Sequence, residues 1–207
     1  MRCVIFGKGG MSAGIASVLE GEGHEVIEYE HFEVDVTDPI AVRFVLGYKE
    51  PDWVINCAGM SDERQPLNTL MTNLWGSMVV ARATQQIPTI LIASVAGLYG
   101  KPNHTAYCVS KAGVISLVQS LGFTQPIWAI SPGRVDTPMR ERDYPGDTPG
   151  SRLEPEQIGT VVRDIMADRY PSGENIIVRK VGLSLTKEYP EQNPWRQRLR
   201  VGEPVTI

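Results

Sequence analysis

The chain has 207 residues, of which 42% are hydrophobic and 21% are charged. This is enough apolar sequence for one compact domain with a sizeable buried core. A formal charge of -4 leaves no basic excess to coat a phosphate backbone, so nucleic acid is not an expected partner. The first apolar run ends at Gly7, which is too short for a signal peptide or a membrane span. We therefore expect a cytoplasmic protein without a membrane partner.

The three cysteines form no recognisable pairing or metal pattern. Cys3, Cys57 and Cys108 are odd in number and lack CxxC spacing, which argues against a disulfide framework and against a structural zinc site. We expect three reduced thiols and no bound metal.

Short apolar runs alternate with helical segments along the chain. The predicted strands are 3–6, 25–29, 53–56, 89–93, 127–130 and 176–179. The predicted helices are 12–22, 39–48, 67–86, 106–121 and 155–167. Strands that alternate with helices form βαβ units, which place helices on both faces of a parallel sheet. The pattern predicts a single α/β domain over residues 1–186, with a doubly wound parallel sheet of about seven strands.

Two segments interrupt this alternation. Residues 138–153 are rich in Pro, Gly, Asp and Arg and lack apolar periodicity, which predicts a long surface loop that binds substrate or acts as a lid. Residues 187–207 carry several prolines and no repeat. We interpret them as a C-terminal tail, either an arm packed on another subunit or a mobile end.

A glycine-rich segment follows the first predicted strand and opens the first helix. Glycine is needed there because a pyrophosphate approaches the backbone N–H groups of a helix N-terminus, where a Cβ obstructs the turn. The segment matches both Gly10-x-x-x-Gly14 and Gly7-x-x-Gly10-x-x-Ala13, and the second fits better because Gly7 directly follows the strand. It predicts a Rossmann-like dinucleotide site that includes Gly7, Gly10, Met11 and Ser12.

The second predicted strand ends near two acidic residues, Glu28 and Glu30. A carboxylate about 20 residues after the glycines accepts hydrogen bonds from the ribose and repels a 2′-phosphate. Glu30 is the preferred candidate because it lies nearer the end of the strand. The predicted cofactor is therefore NAD. NADP stays open, because His31 follows Glu30 and Lys8 lies in the glycine segment, and both side chains could bind a 2′-phosphate.

Two further motifs resemble the short-chain dehydrogenase/reductase family. Asp35-Val36 is similar to the family's adenine-contacting Asp-Val, and Asn56-Cys57-Ala58-Gly59 is similar to its Asn-Asn-Ala-Gly. The link from Glu30 to Val34 is very short, and this compact arrangement resembles the dehydrorhamnose reductase branch. The resemblance implies that all six motif residues line the cofactor side of the sheet.

The catalytic segment carries the same resemblance. Ser94 ends a predicted strand, and Tyr107 and Lys111 lie four residues apart on one face of the next helix. The ammonium is expected to lower the pKa of the phenol and to reach the cofactor ribose, so that the phenol exchanges a proton with a substrate oxygen held by Ser94. Asn73 resembles the family's helix Asn that anchors a proton-relay water and completes a tetrad.

The segment after the fifth predicted strand resembles the family's Pro-Gly turn. The resemblance implies that Pro132, Gly133 and Val135 hold the nicotinamide end of the cofactor. The following loop contains Arg140, Arg142 and Arg152. Three arginines suit an acidic substrate, and a solvated charged loop is the alternative.

Together these features imply an oxidoreductase that transfers hydride between a nicotinamide and a small-molecule carbonyl or alcohol. Two alternatives remain at this stage: a dinucleotide-binding regulator without turnover, and a nucleotide-sugar epimerase or reductase. The intact set of Ser94, Tyr107 and Lys111 argues against the regulator, because a sensor needs no proton donor. The resemblance also implies a homodimer or homotetramer.

Overall fold

The computed structural model describes residues 1–146, 150–181 and 184–188. Seven strands form one sheet in the order β2-β1-β3-β4-β5-β6-β7, and the first six of them are parallel. The last strand pairs antiparallel with β6, so the predicted parallel sheet is confirmed except at this edge. The strands are β1 (Arg2–Phe6), β2 (Glu25–Tyr29), β3 (Trp53–Asn56), β4 (Thr89–Ile92), β5 (Ile127–Pro132), β6 (Asn175–Val181) and β7 (Ser184–Glu188).

Helices cover both faces of the sheet. A single turn of π-helix, Met71–Trp75, joins α3 to α4, and a short 3-10 turn, Val95–Gly97, follows β4. The α-helices are α1 (Gly10–Gly21), α2 (Pro39–Lys49), α3 (Pro66–Leu70), α4 (Gly76–Ala83), α5 (Thr105–Leu121), α6 (Pro138–Asp143) and α7 (Pro155–Met166). None of the described helices is long and apolar enough to cross a membrane.

The central strands are buried on both faces because every residue of β3, β4 and β5 lies in the core. This explains their nearly continuous apolar sequence, which is typical of parallel strands covered by helices on both sides. One core cluster packs under α1 and α7 and includes Ile5 and Trp53, whereas the other packs under α2, α4 and α5 and includes Val4 and Val54. Neighbouring residues of one strand therefore serve opposite cores.

The structure corrects three expectations about the elements. The predicted helix 67–86 ends at Ala83 and is interrupted by the π-turn, in which Gly76 N donates to Met71 O, five residues earlier. The predicted loop 138–153 begins with α6, which Thr137 caps by accepting a hydrogen bond from Arg140 N at 3.2 Å. Lys187, assigned to the tail, lies in β7. The rest of the tail falls outside the described residues.

Helices α1 and α7 are in close contact through glycines. A Cβ on Gly14 would lie 2.3 Å from Pro155 Cβ, and a Cβ on Gly159 would lie 2.9 Å from Gly14 O. Helix packing therefore requires glycine at position 14. This explains Gly14 without a role in the dinucleotide motif, in agreement with the preference for the pattern Gly7-x-x-Gly10-x-x-Ala13.

Replacing Gly14 with Ala is expected to lower the free energy of unfolding by about 1–3 kcal/mol, because the added methyl overlaps the start of α7. Gly21 is the matched control. A Cβ there meets nothing within 4 Å, so Gly21→Ala is expected to be neutral or up to about 1 kcal/mol more stable. Urea unfolding of the two variants makes the comparison, and equal stabilities would contradict the packing role of Gly14.

Candidate active site

A large cavity of about 1460 Å³ opens at the carboxyl ends of the parallel strands. Its walls are the turn after β1, the loops after β2 and β3, the segment between β4 and α5, and the segment from the end of β5 through α6. The end of a doubly wound sheet is where ligands bind in this architecture. Most of the predicted site residues meet there.

The glycine turn forms one wall of the cavity. Gly7 has a φ of 87°, and a Cβ there would lie 2.3 Å from Ala58 N, so this position requires glycine on both counts. Ser12 has a buried hydroxyl that accepts from Gly9 N at 2.8 Å and donates to Gly9 O. A Cβ on Gly9 would meet nothing within 4 Å. The backbone here is therefore open to the cavity, which fits a cradle for a pyrophosphate at the N-terminus of α1.

The loop after β2 forms the neighbouring wall. His31, Val34, Asp35 and Val36 line the cavity, whereas Glu30 is not among the lining residues. The Asp35 carboxylate accepts from the backbone and the hydroxyl of Thr37, both at 2.8 Å, which fixes the turn. Asp35 and Val36 thus line the cavity, and their contact with an adenine, like the role of Glu30, stays a prediction.

The loop after β3 is held from below by Asn56. This side chain is 1% exposed, accepts from Ala58 N at 3.1 Å and donates to Ser77 Oγ at 3.2 Å. Asn56 does not line the cavity, so it supports the loop, and Cys57, Ala58 and Gly59 form the surface. Burial raises the pKa of the Cys57 thiol to about 12, and all three cysteines are free thiols.

Asn73 is fully buried in the π-turn and also lies behind the cavity wall. Its amide oxygen accepts from Met60 N at 2.8 Å, and its amide nitrogen donates to Met60 O at 2.9 Å and to Ser110 Oγ at 3.0 Å. A Cβ on Gly59 would lie 3.3 Å from both Asn73 Oδ1 and Lys111 Nζ. Asn73 therefore joins the β3 loop to α5 right beside Lys111.

Ser94, Tyr107 and Lys111 all line the cavity. Ser94 accepts from Ala96 N at 3.1 Å and shares a hydrogen bond with the Tyr107 phenol. Lys111 Nζ donates to Ile92 O at 2.8 Å and lies 5.8 Å from the centre of the Tyr107 ring. The strand end and the first turns of α5 thus bring the three predicted groups together.

The titration of this pair differs from the prediction. Burial raises the pKa of Tyr107, although the Ser94 hydrogen bond opposes that change. Burial also lowers the pKa of Lys111 from 10.5 to about 8. The expected lowering of the phenol pKa by the ammonium is therefore not found: burial has the largest influence on the phenol, and Lys111 is not among the groups that shift its pKa.

The segment after β5 supplies another wall, which adjoins the glycine turn, because a Cβ on Gly10 would lie 2.8 Å from Pro138 Cδ. Pro132, Gly133 and Val135 line the cavity as predicted, and Gly133 N donates to Val178 O at 2.7 Å. This bond ties the turn to β6.

The three arginines of the α6 region have different environments. Arg152 is 14% exposed and forms ion pairs with Asp136 at 2.8 Å and Glu141 at 2.6 Å, so its role is structural. Arg142 pairs with Asp143 at 2.7 Å. Arg140 alone lines the cavity, with its guanidinium 3.8 Å above the centre of the Tyr144 ring. The arginines therefore do not form one anion site.

The sequence gives no signal for three other cavity residues, Lys101, His104 and Tyr144. Lys101 donates to the Tyr144 hydroxyl, which also lies 2.6 Å from His104 Nε2. Glu63 was missed too: its carboxylate accepts from Ala106 N at 3.3 Å and from Tyr107 N at 3.2 Å. It caps α5 from a distant loop, a contact that no local motif announces.

Comparison with known proteins identifies the family. The family model for short chain dehydrogenases matches residues 11–147, and the chain belongs to this family of oxidoreductases. The chain is 32% identical over 181 residues to the 3-oxoacyl-(acyl-carrier-protein) reductase FabG of Thermotoga maritima, covering 70% of this chain and 73% of the relative. It spans between 24% and 73% of the length of the curated relatives that it matches.

Solved structures share the fold. An actinorhodin polyketide ketoreductase solved with NADPH matches 88% of this chain and 96% of its own, with a TM-score of 0.74 and 19% identity. A dTDP-4-dehydrorhamnose reductase of Clostridium acetobutylicum matches 88% of this chain and 75% of its own, with a TM-score of 0.70 and 19% identity. These likenesses confirm the doubly wound architecture.

Lys111→Met is expected to stabilise the cofactor-free protein. The pKa of the native Lys111 falls from 10.5 to about 8 on folding, so the charged side chain destabilises the folded protein below pH 8. This destabilisation declines as the pH rises from 8 towards 10.5. At pH 7 the variant is expected to gain about 2 kcal/mol in the free energy of unfolding. This figure already subtracts about 1 kcal/mol for the hydrogen bond to Ile92 O that the variant loses.

Urea unfolding of Lys111→Met at pH 7 and at pH 9.5 tests this expectation. The gain should be much smaller at the higher pH. The exposed Lys8, replaced by Met, is the control and should show no such dependence. A gain that does not change with pH would contradict the burial of a charged Lys111.

Glu63→Ala is expected to lower the free energy of unfolding by about 1 kcal/mol, because two N–H groups in the first turn of α5 lose their acceptor. Glu63→Gln keeps an acceptor oxygen and should lose less. Glu20, which is exposed on α1, is the control, and its replacement by Ala should change stability by less than about 0.5 kcal/mol. Equal losses at positions 63 and 20 in denaturant unfolding would argue against the cap.

Proposed function

We propose that the protein is an NAD(P)-dependent oxidoreductase that transfers hydride between a nicotinamide and a carbonyl or alcohol substrate, with Tyr107 as the acid and base. The observation that carries this proposal is the meeting of Tyr107, Ser94 and Lys111 in one cavity, which the glycine turn also lines. Family membership supports the same class of reaction.

The residues around the cavity fit a dinucleotide. The turn from Gly7 to Ser12 would hold the pyrophosphate, and Asp35 and Val36 would contact the adenine. Pro132, Gly133 and Val135 would hold the nicotinamide, which supplies or accepts the hydride when bound.

NAD is the proposed form of the cofactor. Glu30 directly follows β2, and Asp35 places a carboxylate on the cavity wall, so a 2′-phosphate would meet negative charge there. NADP is the alternative, because Lys8 and His31 line the same end.

The raised pKa of Tyr107 suits the direction of carbonyl reduction. At neutral pH the phenol is protonated, so it can donate a proton to the developing alkoxide oxygen, which Ser94 orients through its own hydroxyl. Lys111 has three N–H groups, of which one is donated to Ile92 O. The remaining ones would bind the cofactor ribose, and its ammonium would stabilise the phenolate that proton donation leaves behind.

The substrate class stays at the level of carbonyl compounds and alcohols. A 3-oxoacyl group is one candidate, since the Thermotoga maritima relative is named as a reductase of such groups.

The protein is further proposed to act in the cytoplasm as a homodimer or homotetramer. Exposed apolar side chains on the outer side of α3 and α5, such as Leu67 and Val109, provide surface for self-association.

Tyr107→Phe is expected to reduce turnover at least about 100-fold while cofactor binding is retained, because the proton donor is lost and the ring remains. Turnover is followed at the nicotinamide absorbance band with NADH and NADPH and a panel of aldehydes, ketones and 3-oxoacyl thioesters. Cofactor binding is measured by calorimetry.

Tyr48→Phe is the control, since this phenol lies on α2 and its residue is 73% exposed. It should keep full activity. Unchanged turnover in Tyr107→Phe would refute the assignment of Tyr107. Cofactor binding without turnover in the native protein would favour the regulatory alternative, and a tightly retained NAD that recycles during turnover would favour an epimerase.

A further inference from the structure

The cavity concentrates positive charge in a chain whose formal charge is -4. Among the described residues, seven Lys or Arg side chains line it, against the two carboxylates of Asp35 and Asp143. A dinucleotide pyrophosphate at the glycine turn would neutralise only the charge near that turn, where Lys8 lies. Positive charge therefore remains at the other end of the cavity.

Lys101 is the clearest source of this remaining charge. It lies in the segment between β4 and α5, just before the helix whose first turns carry the catalytic Tyr107 into the cavity. Within the described part of the chain its hydrogen-bond partner is the Tyr144 phenol, and no carboxylate pairs with it. The nearby lining carboxylate, Asp143, is paired with Arg142 at 2.7 Å. The Lys101 ammonium thus has no counterion from these residues.

The directions of the surrounding hydrogen bonds show how Lys101 is held. His104 Nδ1 lies 3.0 Å from Pro102 O, and because a carbonyl only accepts, this nitrogen is the donor. The other ring nitrogen, His104 Nε2, lies 2.6 Å from the Tyr144 hydroxyl, and the Tyr144 oxygen accepts from Lys101. An ammonium has three N–H groups, so one is used here and two remain for a ligand.

This chain of bonds fixes the ammonium next to the reaction centre. Tyr144 follows α6, and its bonds to Lys101 and His104 join α6 to the loop before α5. Tyr144 is also among the groups that raise the pKa of the Tyr107 phenol, so it lies near that phenol. Lys101 is thereby held in the same cavity as Tyr107.

We propose that the substrate carries an anionic oxygen group, a carboxylate or a phosphate, that binds the Lys101 ammonium while its carbonyl oxygen lies at Ser94 and Tyr107. This inference rests on the proposed function and narrows its substrate class. A charge-assisted hydrogen bond in a partly desolvated cavity is among the stronger single contacts a small substrate can make. A preference of about 10- to 100-fold for the anion is therefore expected over its neutral analogue.

Matched pairs of carbonyl compounds test the anion site. One pair is acetoacetate and methyl acetoacetate, and the other is dihydroxyacetone phosphate and dihydroxyacetone. The measured quantity is the ratio of kcat/KM for the anionic member to that for the neutral member, with NADH and NADPH. A high ratio in the first pair identifies a carboxylate, and a high ratio in the second identifies a phosphate.

Lys101→Gln is expected to lower this ratio about 10- to 100-fold. Lys101→Arg, which keeps the charge, should keep most of the preference. Arg43→Gln is the matched control, because this exposed residue on α2 does not line the cavity and loses the same charge. A ratio near one in the native protein, or a ratio that Lys101→Gln leaves within about three-fold, would overturn the proposal.

Calorimetry separates failure of the anion site from failure of the proposed function. Acetoacetate and dihydroxyacetone phosphate are titrated into the native protein and into Lys101→Gln, each saturated with NADH. Binding of either compound that depends on Lys101, without turnover of any carbonyl compound, would support the anion site and contradict the proposed oxidoreduction. Turnover of neutral carbonyls alone, with no Lys101-dependent binding, would support the oxidoreduction and refute the anion site.

Discussion

The hydrogen bonds of the Asn73 amide hold the site together. They connect the π-turn to both backbone groups of Met60 and to the hydroxyl of Ser110, so three separate elements meet at one buried side chain. These three polar groups would lose a partner if the amide were absent, and an unpaired buried polar group is costly. The contact also brings the loop after β3 against α5. Gly59 permits that approach, because a side chain there would meet Lys111 Nζ.

The site places polar groups where water is largely excluded. Lys111 is 5% exposed, and burial disfavours its charge, while the same effect favours the neutral phenol of Tyr107. An anionic cofactor fits this environment, because it would supply negative charge to a cavity whose walls carry mostly positive side chains. The proposed anionic substrate fits the other end for the same reason. The cavity thus has an excess of positive charge, which bound anionic ligands would neutralise.

The fold and the centre of the site were largely predictable from the sequence because their signals are local. Apolar runs define strands, and a spacing of four residues places Tyr107 and Lys111 on one helical face. Ser94 lies two residues after the end of β4, so its position at the carboxyl edge follows from the strand. The glycine turn has a similar local signal at Gly7, where both the positive φ and the contact with the β3 loop exclude a side chain.

Contacts between segments distant in sequence were not predictable in this way. The cap that Glu63 provides for α5 joins residues more than 40 positions apart, as does the bond between Lys101 and Tyr144. Arg152 likewise forms ion pairs with Asp136 and Glu141, and the sequence pattern did not indicate these contacts. Arg152 is therefore not part of the acidic-substrate site that the sequence suggested.

The sequence by itself determined the order of strands and helices, the family motifs and the identity of the reactive groups, because short-range spacing encodes all of these. Only the tertiary structure decided the charge states and the neighbours of those groups. Burial depends on what packs above a residue, and it reversed the expected change in the pKa of Tyr107. Packing likewise gave the Lys101 ammonium its place beside the reaction centre.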